Sequence, residues 1–235
     1  MFKRPHHQRI ALVLESMNSA LLLENHCFFG GGTAIALRYG EFRESVDIDF
    51  LVSDLASYRK LRQMITGPEG LSALWDAPSR ALQVSQRGVR ADQYGIRCVL
   101  EVMDSRIKFE IVLEGRITFD EPDPADAVCG VPTLTGKDLA ASKLLANSDR
   151  WADDGVFSRD LIDLAMMDLP LKVLRSAAFK AEQAYGVSIT RDLGKAIEHM
   201  KTRNAWLDRC IDAMAMDVPR AVVWNKVRKL KRLCD

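Results

Sequence analysis

The pattern of apolar and polar positions divides the chain into a mixed first half and a helical second half. Apolar residues recur at helical spacing from Ile10 to Leu23 and predict one amphipathic helix. A short apolar strand at Cys27–Phe29 follows, and three glycines then lead into a helix over Thr33–Tyr39. β-Branched and aromatic residues predict further strands over Val46–Val52, Ala81–Gln86, Ile96–Met103 and Arg106–Leu113.

A segment rich in proline and acidic residues separates the two halves. Residues 120–132 (DEPDPADAVCGVP) show no periodicity, which is typical of a linker, and the pattern beyond them is helical almost to the end. We therefore expect an α/β (α+β) protein of two domains. The first, residues 1–130, would combine a mixed sheet with helices, and the second, residues 131–235, would be helical.

Composition is that of a soluble protein, with 48% hydrophobic and 28% charged residues among 235. Five scattered cysteines without a C-x-x-C pair favour a reducing, cytoplasmic location, and no membrane span is expected.

The net charge of +1 does not indicate a nucleic-acid partner. The carboxyl-terminal segment is basic, which fits either a solvated helix face or an RNA contact. Its basic residues are Arg220, Lys226, Arg228, Lys229, Lys231 and Arg232.

The glycine turn and the aspartates that follow it carry the candidate chemistry. Residues two apart in a strand share a face, so Asp47 and Asp49 project together and Ile48 projects to the opposite side. Two adjacent carboxylates repel each other unless a cation neutralises them, and Mg²⁺ favours one or two carboxylates with phosphate oxygens and water. The turn lacks the spacing of a P-loop or a dinucleotide fold, and alone it would be only a tight turn. Together, turn and aspartates predict a metal and triphosphate site.

Two motifs carry a resemblance to a known family. GGGTAIAL followed by R-x-S-x-D-I-D-F resembles the signature of the DNA polymerase β-like nucleotidyltransferases, and within them the AbiEii/AbiGii-type toxins. A later helical motif, DLAASKLLANSDRWADDGVFSRDLIDL, resembles the second half of that family's pattern. The resemblance implies a polymerase β-like nucleotidyltransferase domain and a helical domain that closes the active-site cleft.

The resemblance implies roles for residues of the first motif. Asp47 and Asp49 would bind Mg²⁺, with two ions expected, and the phosphates of a nucleoside triphosphate (NTP) would lie on the turn. Arg43 and Ser45 would orient the aspartate strand and contact phosphate, and structural support is an equal alternative for both. The residues of the phosphate turn would be Gly31, Gly32 and Thr33.

Three further residues complete the predicted site. Lys143 would hold the triphosphate, and Asp160, in preference to Asp163, would complete the site from the helical domain. Superfamily members commonly supply a third carboxylate from a neighbouring strand, and Glu110 is the candidate here, with Glu101 as the second choice.

The activity implied is transfer of a nucleoside monophosphate from an NTP to a hydroxyl, with release of pyrophosphate. The acceptor implied is RNA, in particular tRNA, and the biological setting is a toxin–antitoxin or phage-defence system with a possible antitoxin partner. Two alternatives stay open on the sequence: a catalytically silent nucleotide-binding module, and a nucleotidyltransferase that modifies small molecules.

Overall fold

The structure, a computed structural model, describes residues 2–76 and 85–234. The chain forms two compact units. The first consists of Met1–Leu37 and Ser45–Thr135, and the second of Arg38–Glu44 and Gly136–Asp235. In the described part of the chain, no helix is both long and apolar enough to span a bilayer.

The described residues of the first unit form a five-stranded mixed sheet in the order β1-β2-β5-β4-β3. Strand β2 pairs antiparallel with β1 and parallel with β5, and β4 pairs antiparallel with both β5 and β3. Thus β2, which carries the aspartate motif, has a neighbour on each side. The strands are β1 (Phe28–Gly30), β2 (Ile48–Val52), β3 (Ser85–Ala91), β4 (Gly95–Val102) and β5 (Ser105–Leu113).

The predicted strands at 27–29, 46–52, 96–103 and 106–113 are confirmed to within one or two residues at their ends. For the strand predicted over 81–86, residues 77–84 lie outside the described residues, and strand β3 is described only from Ser85. Strand β2 begins at Ile48, so Asp47 lies one residue before it.

One face of the sheet forms an apolar core. Ile48, Phe50 and Val52 of β2 are buried, and they alternate with partly exposed residues as the sequence pattern predicts. The ring of Phe50 packs against Phe29 at 5.6 Å and against Phe109 at 5.8 Å between ring centroids. This packing fixes which face of β2 is left for polar residues.

Among the residues that the structure describes, four α-helices accompany the sheet, and the first two differ from the prediction. The single helix predicted over 10–23 is wrong, because the chain forms two helices separated at residues 16–18. The Asn18 side chain accepts a hydrogen bond from the Leu21 amide at 2.8 Å, and this cap starts the second helix. The four are α1 (Pro5–Glu15), α2 (Ser19–Glu24), α3 (Gly31–Arg38) and α4 (Leu55–Ile65).

The second unit is helical. Ser158 precedes α6, but its side chain does not cap the helix and instead accepts a hydrogen bond from the Trp206 indole at 2.9 Å. Its helices are α5 (Gly136–Arg150), α6 (Arg159–Met166), α7 (Leu171–Tyr185), α8 (Ser188–Thr202), α9 (Trp206–Ala213) and α10 (Arg220–Lys229).

Candidate active site

The polar face of the sheet carries a row of charged residues set by strand register. Asp49 of β2 is directly opposite Glu110 of β5, and Glu110 is directly opposite Arg97 of β4. Residues opposite each other in neighbouring strands have side chains on the same face. The register therefore brings together Asp49 and the predicted third carboxylate, Glu110. The alternative, Glu101, is opposite Arg106 at the far end of the β4–β5 hairpin.

The glycine turn lies against Asp49. Gly30 is paired with Asp49 across β1 and β2, and Gly31 follows as the first residue of α3 with φ +68°. A Cβ atom on Gly31 would lie 2.4 Å from Oδ2 of Asp49, closer than any ordinary contact. Gly31 therefore meets both requirements that favour glycine, a left-handed backbone and a close approach. The predicted succession of a strand and a helix is confirmed, but α3 begins at Gly31 and not at Thr33, so the three glycines lie at the end of β1 and the start of α3.

The next residues of the turn differ in their surroundings. Gly32 is half-buried, whereas Thr33 is buried and donates its hydroxyl hydrogen to the Ser45 Oγ at 2.8 Å. Thr33 thus connects α3 to the segment that precedes Asp47. The phosphate-binding roles of Gly31, Gly32, Thr33 and Ser45 stay predictions.

Two cations accompany the carboxylates. Glu110 forms ion pairs with Lys108 at 2.9 Å and with Arg97 at 3.1 Å. The hydrogen bond to Glu110 raises the pKa of Lys108, burial opposes this shift, and the charges of Glu110, Asp47 and Asp49 add to it. The alternation along β5 predicts that Lys108 shares the charged face with Glu110. No role for Arg97 was predicted, although its alternation with apolar residues in β4 is a signal that could have indicated it.

The carboxylates of Asp47 and Asp49 fit the ligand preference of Mg²⁺. In residues 2–76 and 85–234, no group of three or more His, Cys, Asp or Glu side chains is arranged to hold a metal ion. Mg²⁺ needs only one or two carboxylates when phosphate oxygens and water complete its shell. Asp47 and Asp49 supply that number, and Gly31 leaves space for the Asp49 carboxylate.

The second unit contains a cluster of five charged residues, four of them buried and the fifth, Arg150, partly exposed. Asp163, fully buried, accepts two hydrogen bonds from Arg43, at 2.6 and 2.9 Å, and lies 2.7 Å from the Lys143 Nζ. Asp160 lies 3.0 Å from the same Nζ and accepts two hydrogen bonds from Arg150, at 2.7 and 3.0 Å. The cluster thus joins segment 38–44 to α5 and α6.

The charges of the cluster depend on one another. Burial opposes ionisation of Asp160 and Asp163, but the positive charges of Lys143, Arg43 and Arg150 outweigh it and lower the pKa of both carboxyls. Burial likewise opposes the charge of Lys143, and the two carboxylates nevertheless raise the pKa of Lys143. The sequence analysis brought Lys143, Asp160 and Asp163 into one motif, but the pairing of Arg43 with Asp163 was not foreseen. The roles of Lys143, Asp160 and Arg43 toward a nucleotide stay predictions.

Comparison with protein families decides the class. A model of the nucleotidyl transferase AbiEii toxin of type IV toxin–antitoxin systems matches residues 12–222, most of the chain. The chain belongs to the AbiEii nucleotidyltransferase toxin family. It is therefore a nucleotidyltransferase enzyme, and the resemblance carried by its two motifs is confirmed.

Solved structures support the fold of this nucleotidyltransferase. It is similar to JHP933 from Helicobacter pylori, with 14% identity and a TM-score of 0.53 over 100% of this chain and 95% of that chain. It is also similar to MenT4, a nucleotidyltransferase toxin from Mycobacterium tuberculosis, with 17% identity and a TM-score of 0.51 over 98% of this chain and 85% of that chain. A search of curated proteins gives no match.

Replacing Gly31 with alanine is expected to lower nucleotidyl transfer about 100-fold, because a displacement of about 1 Å in a reacting site costs that much. The new Cβ would lie 2.4 Å from the Asp49 carboxylate, where ordinary contact begins at 3.4 Å. Steady-state transfer rates at saturating NTP measure the effect.

Gly40→Ala is the matched control. Gly40 has φ +89°, so alanine there meets the same kind of backbone strain, but its Cβ would have nothing within 4 Å. If Gly31→Ala and Gly40→Ala had equal activity, the contact with Asp49 would not matter.

Asp163→Asn is expected to reduce the free energy of unfolding by about 3–5 kcal/mol, since it leaves Arg43 and Lys143 buried beside an uncharged amide. Because the pKa of Asp163 is lowered in the folded state, its contribution is present above the unfolded pKa of about 4 and is lost as the pH falls. Wild type should therefore lose more stability than the variant between about pH 5 and pH 2. Urea titrations across this range measure both effects.

Asp208→Asn serves as the comparison, because the Asp208–Arg220 pair at 3.0 Å is exposed and should contribute less than about 1 kcal/mol. An Asp163→Asn variant as stable as Asp208→Asn, with an unchanged pH profile, would contradict the importance assigned to the buried cluster.

Proposed function

We propose that this toxin transfers a nucleoside monophosphate from an NTP to a hydroxyl of RNA, with Mg²⁺ bound by Asp47 and Asp49. The observation that carries the proposal is the position of Asp49. It lies between the glycine turn at Gly31 on one side and Glu110 on the other, where a metal-bound triphosphate would meet both.

The chain's own residues have separate tasks in this proposal. Asp47 and Asp49 bind the cations, with two ions expected, and the start of α3 at Gly31 and Gly32 faces the phosphates. Glu110 either accepts the proton of the attacking hydroxyl or binds the second ion. Its ion pairs with Lys108 and Arg97 fix the carboxylate while the site is empty of nucleotide. When bound, Mg²⁺ neutralises the phosphate charge that otherwise repels the attacking oxygen.

The reaction follows from these positions. The acceptor oxygen forms a bond to the α-phosphorus, and the bond from that phosphorus to the oxygen bridging to the β-phosphate breaks. Pyrophosphate leaves with that oxygen, and the hydroxyl proton passes to Glu110 or to solvent. Positioning and charge neutralisation supply the rate, as in phosphoryl transfer generally.

The acceptor proposed is RNA, and the surface of the helical unit supports it. A cavity of about 870 Å³ lies beside the start of α10, and a basic segment continues from it to Arg232. Arg220 and Trp224 line the cavity together with Lys201 and Arg203. The basic side chains would bind RNA phosphates, and the Trp224 ring would stack on a base. Arg220 and Arg203 are paired with exposed aspartates in the free protein, and phosphates would replace those partners.

A cognate antitoxin is part of the proposal. The family is that of type IV toxin–antitoxin systems, so a partner that counteracts this toxin is expected.

Asp47→Asn and Asp49→Asn are each expected to reduce transfer at least about 100-fold, since loss of a metal ligand removes several kcal/mol of charge stabilisation. The assay incubates the protein with each labelled NTP, Mg²⁺ and total cellular RNA, followed by sizing of the labelled product. Glu110→Gln should also be strongly impaired, whereas Glu101→Gln is the control, because Glu101 pairs with Arg106 at 3.6 Å at the other end of the hairpin.

The outcomes separate the alternatives. If wild type labels RNA and either aspartate variant does not, the proposal is supported. If both variants label RNA as strongly as wild type, the assignment of Asp47 and Asp49 to the active site is wrong. Label that appears only in a small molecule would contradict the RNA acceptor, and NTP binding without any transfer would favour the silent module.

A further inference from the structure

Two histidines in the first turn of α1 contact the segment that precedes Asp47. His7 is fully buried, and its Nε2 accepts a hydrogen bond from the Ser45 backbone N–H at 3.1 Å. The neighbouring His6 has its Nε2 3.0 Å from the Val46 carbonyl oxygen. Consecutive histidines thus hold consecutive residues that lie 38 and 40 positions further along the chain.

The two hydrogen bonds require opposite roles of the same ring nitrogen. A carbonyl oxygen only accepts, so Nε2 of His6 donates its hydrogen, whereas Nε2 of His7 accepts from an amide and carries no hydrogen. His7 is therefore neutral, with its proton on Nδ1. One histidine donates and the other accepts, which matches the carbonyl and the amide of the 45–46 segment.

Asp47 needs support that the sheet does not supply. Asp49 is paired with Gly30 on one side and Glu110 on the other. In the described part of the sheet, the pairing of β2 begins at Ile48, so Asp47 belongs to no described ladder. The two carboxylates must nevertheless be held in a fixed relation to share cations. The position of Asp47 therefore depends on the segment immediately before it and on β2 immediately after it.

Ser45 is held from two helices. Its backbone bonds to His7 of α1, and its Oγ accepts the hydroxyl hydrogen of Thr33 of α3 at 2.8 Å. The segment therefore connects the helix that begins at the glycine turn with the amino-terminal helix. The family model matches only from residue 12, so the two histidines lie outside the part of the chain that it describes.

We propose that His6 and His7 are positioning residues that hold the Ser45–Val46 segment and thereby place Asp47 for metal binding. This inference rests on the proposed role of Asp47 as a Mg²⁺ ligand. His7 contributes most, because its side chain is fully buried and accepts from a backbone amide. Neither histidine touches substrate in this account.

The test compares His7→Leu, which removes the acceptor, with His7→Gln, whose Oε1 can take the place of Nε2. Amide hydrogen exchange of Ser45 in the metal-free protein reports the hydrogen bond directly. Transfer rates against Mg²⁺ concentration report its effect on the site. In His7→Leu, the Ser45 amide hydrogen should exchange faster, and the Mg²⁺ concentration that gives half-maximal rate should rise about fivefold, the equivalent of one lost hydrogen bond. In His7→Gln, the exchange rate and this Mg²⁺ concentration should both stay near the wild-type values.

Two further variants keep the outcome decisive. His6→Ala removes the bond to Val46 from an exposed position and should raise the half-maximal Mg²⁺ concentration even if His7→Leu folds poorly. Asp47→Asn tests the proposed function itself. If Asp47→Asn is inactive while His7→Leu and His6→Ala keep wild-type Mg²⁺ dependence, the positioning role is wrong and the metal site stands. If Asp47→Asn is fully active, the proposed function fails and this inference fails with it.

Discussion

The pairing of β2 between two strands determines where the polar groups of the first unit can lie. Asp49 is opposite Gly30 in one neighbour and Glu110 in the other. A slip of one residue in either pairing would send Asp49 to the apolar face, where Phe50 now packs against Phe29 and Phe109. The apolar packing on one face therefore fixes the charged row on the other. The glycine at position 31 follows from the same constraint, because only a residue without Cβ fits beside the Asp49 carboxylate.

Sequence patterns predicted what depends on local spacing. The alternation of Ile48, Asp49 and Phe50 predicted the two faces of β2 correctly, since a strand has a fixed period of two. The glycine run correctly predicted the turn into α3. In contrast, periodicity from residue 10 to 23 did not reveal the break at residues 16–18, because the apolar residues on both sides keep helical spacing. The break is set by Asn18, whose side chain caps the start of the second helix.

Long-range partners could not be predicted from spacing. Ser158 directly precedes α6, yet the hydrogen-bond partner of its side chain is Trp206, 48 residues away. Glu110 was only one of two candidates, because the register between β2 and β5 is set by their packing in three dimensions. The family resemblance supplied the class of enzyme, and that class is confirmed. The individual roles of the site residues stay predictions that the proposed experiments address.

In the second unit, the arrangement of segment 38–44, α5 and α6 depends on ion pairs whose attraction outweighs the cost of burying their charges. Three cations surround two carboxylates in the cluster of Arg43, Lys143, Arg150, Asp160 and Asp163, and each charge is stable there only because the others are present. Such a cluster contributes little net stability compared with apolar packing, but it strongly penalises any arrangement that separates its members. It therefore holds segment 38–44, α5 and α6 in one arrangement within this unit.

The proposed function requires that Asp49, beside Gly31 and Glu110, binds an NTP through Mg²⁺. Calorimetric titration with an NTP analogue whose α–β bridge cannot be cleaved measures this binding without turnover or acceptor. Wild type should bind the analogue only when Mg²⁺ is present, and Asp49→Asn should not bind it. Equal affinity with and without Mg²⁺, or unchanged affinity in Asp49→Asn, would contradict this requirement.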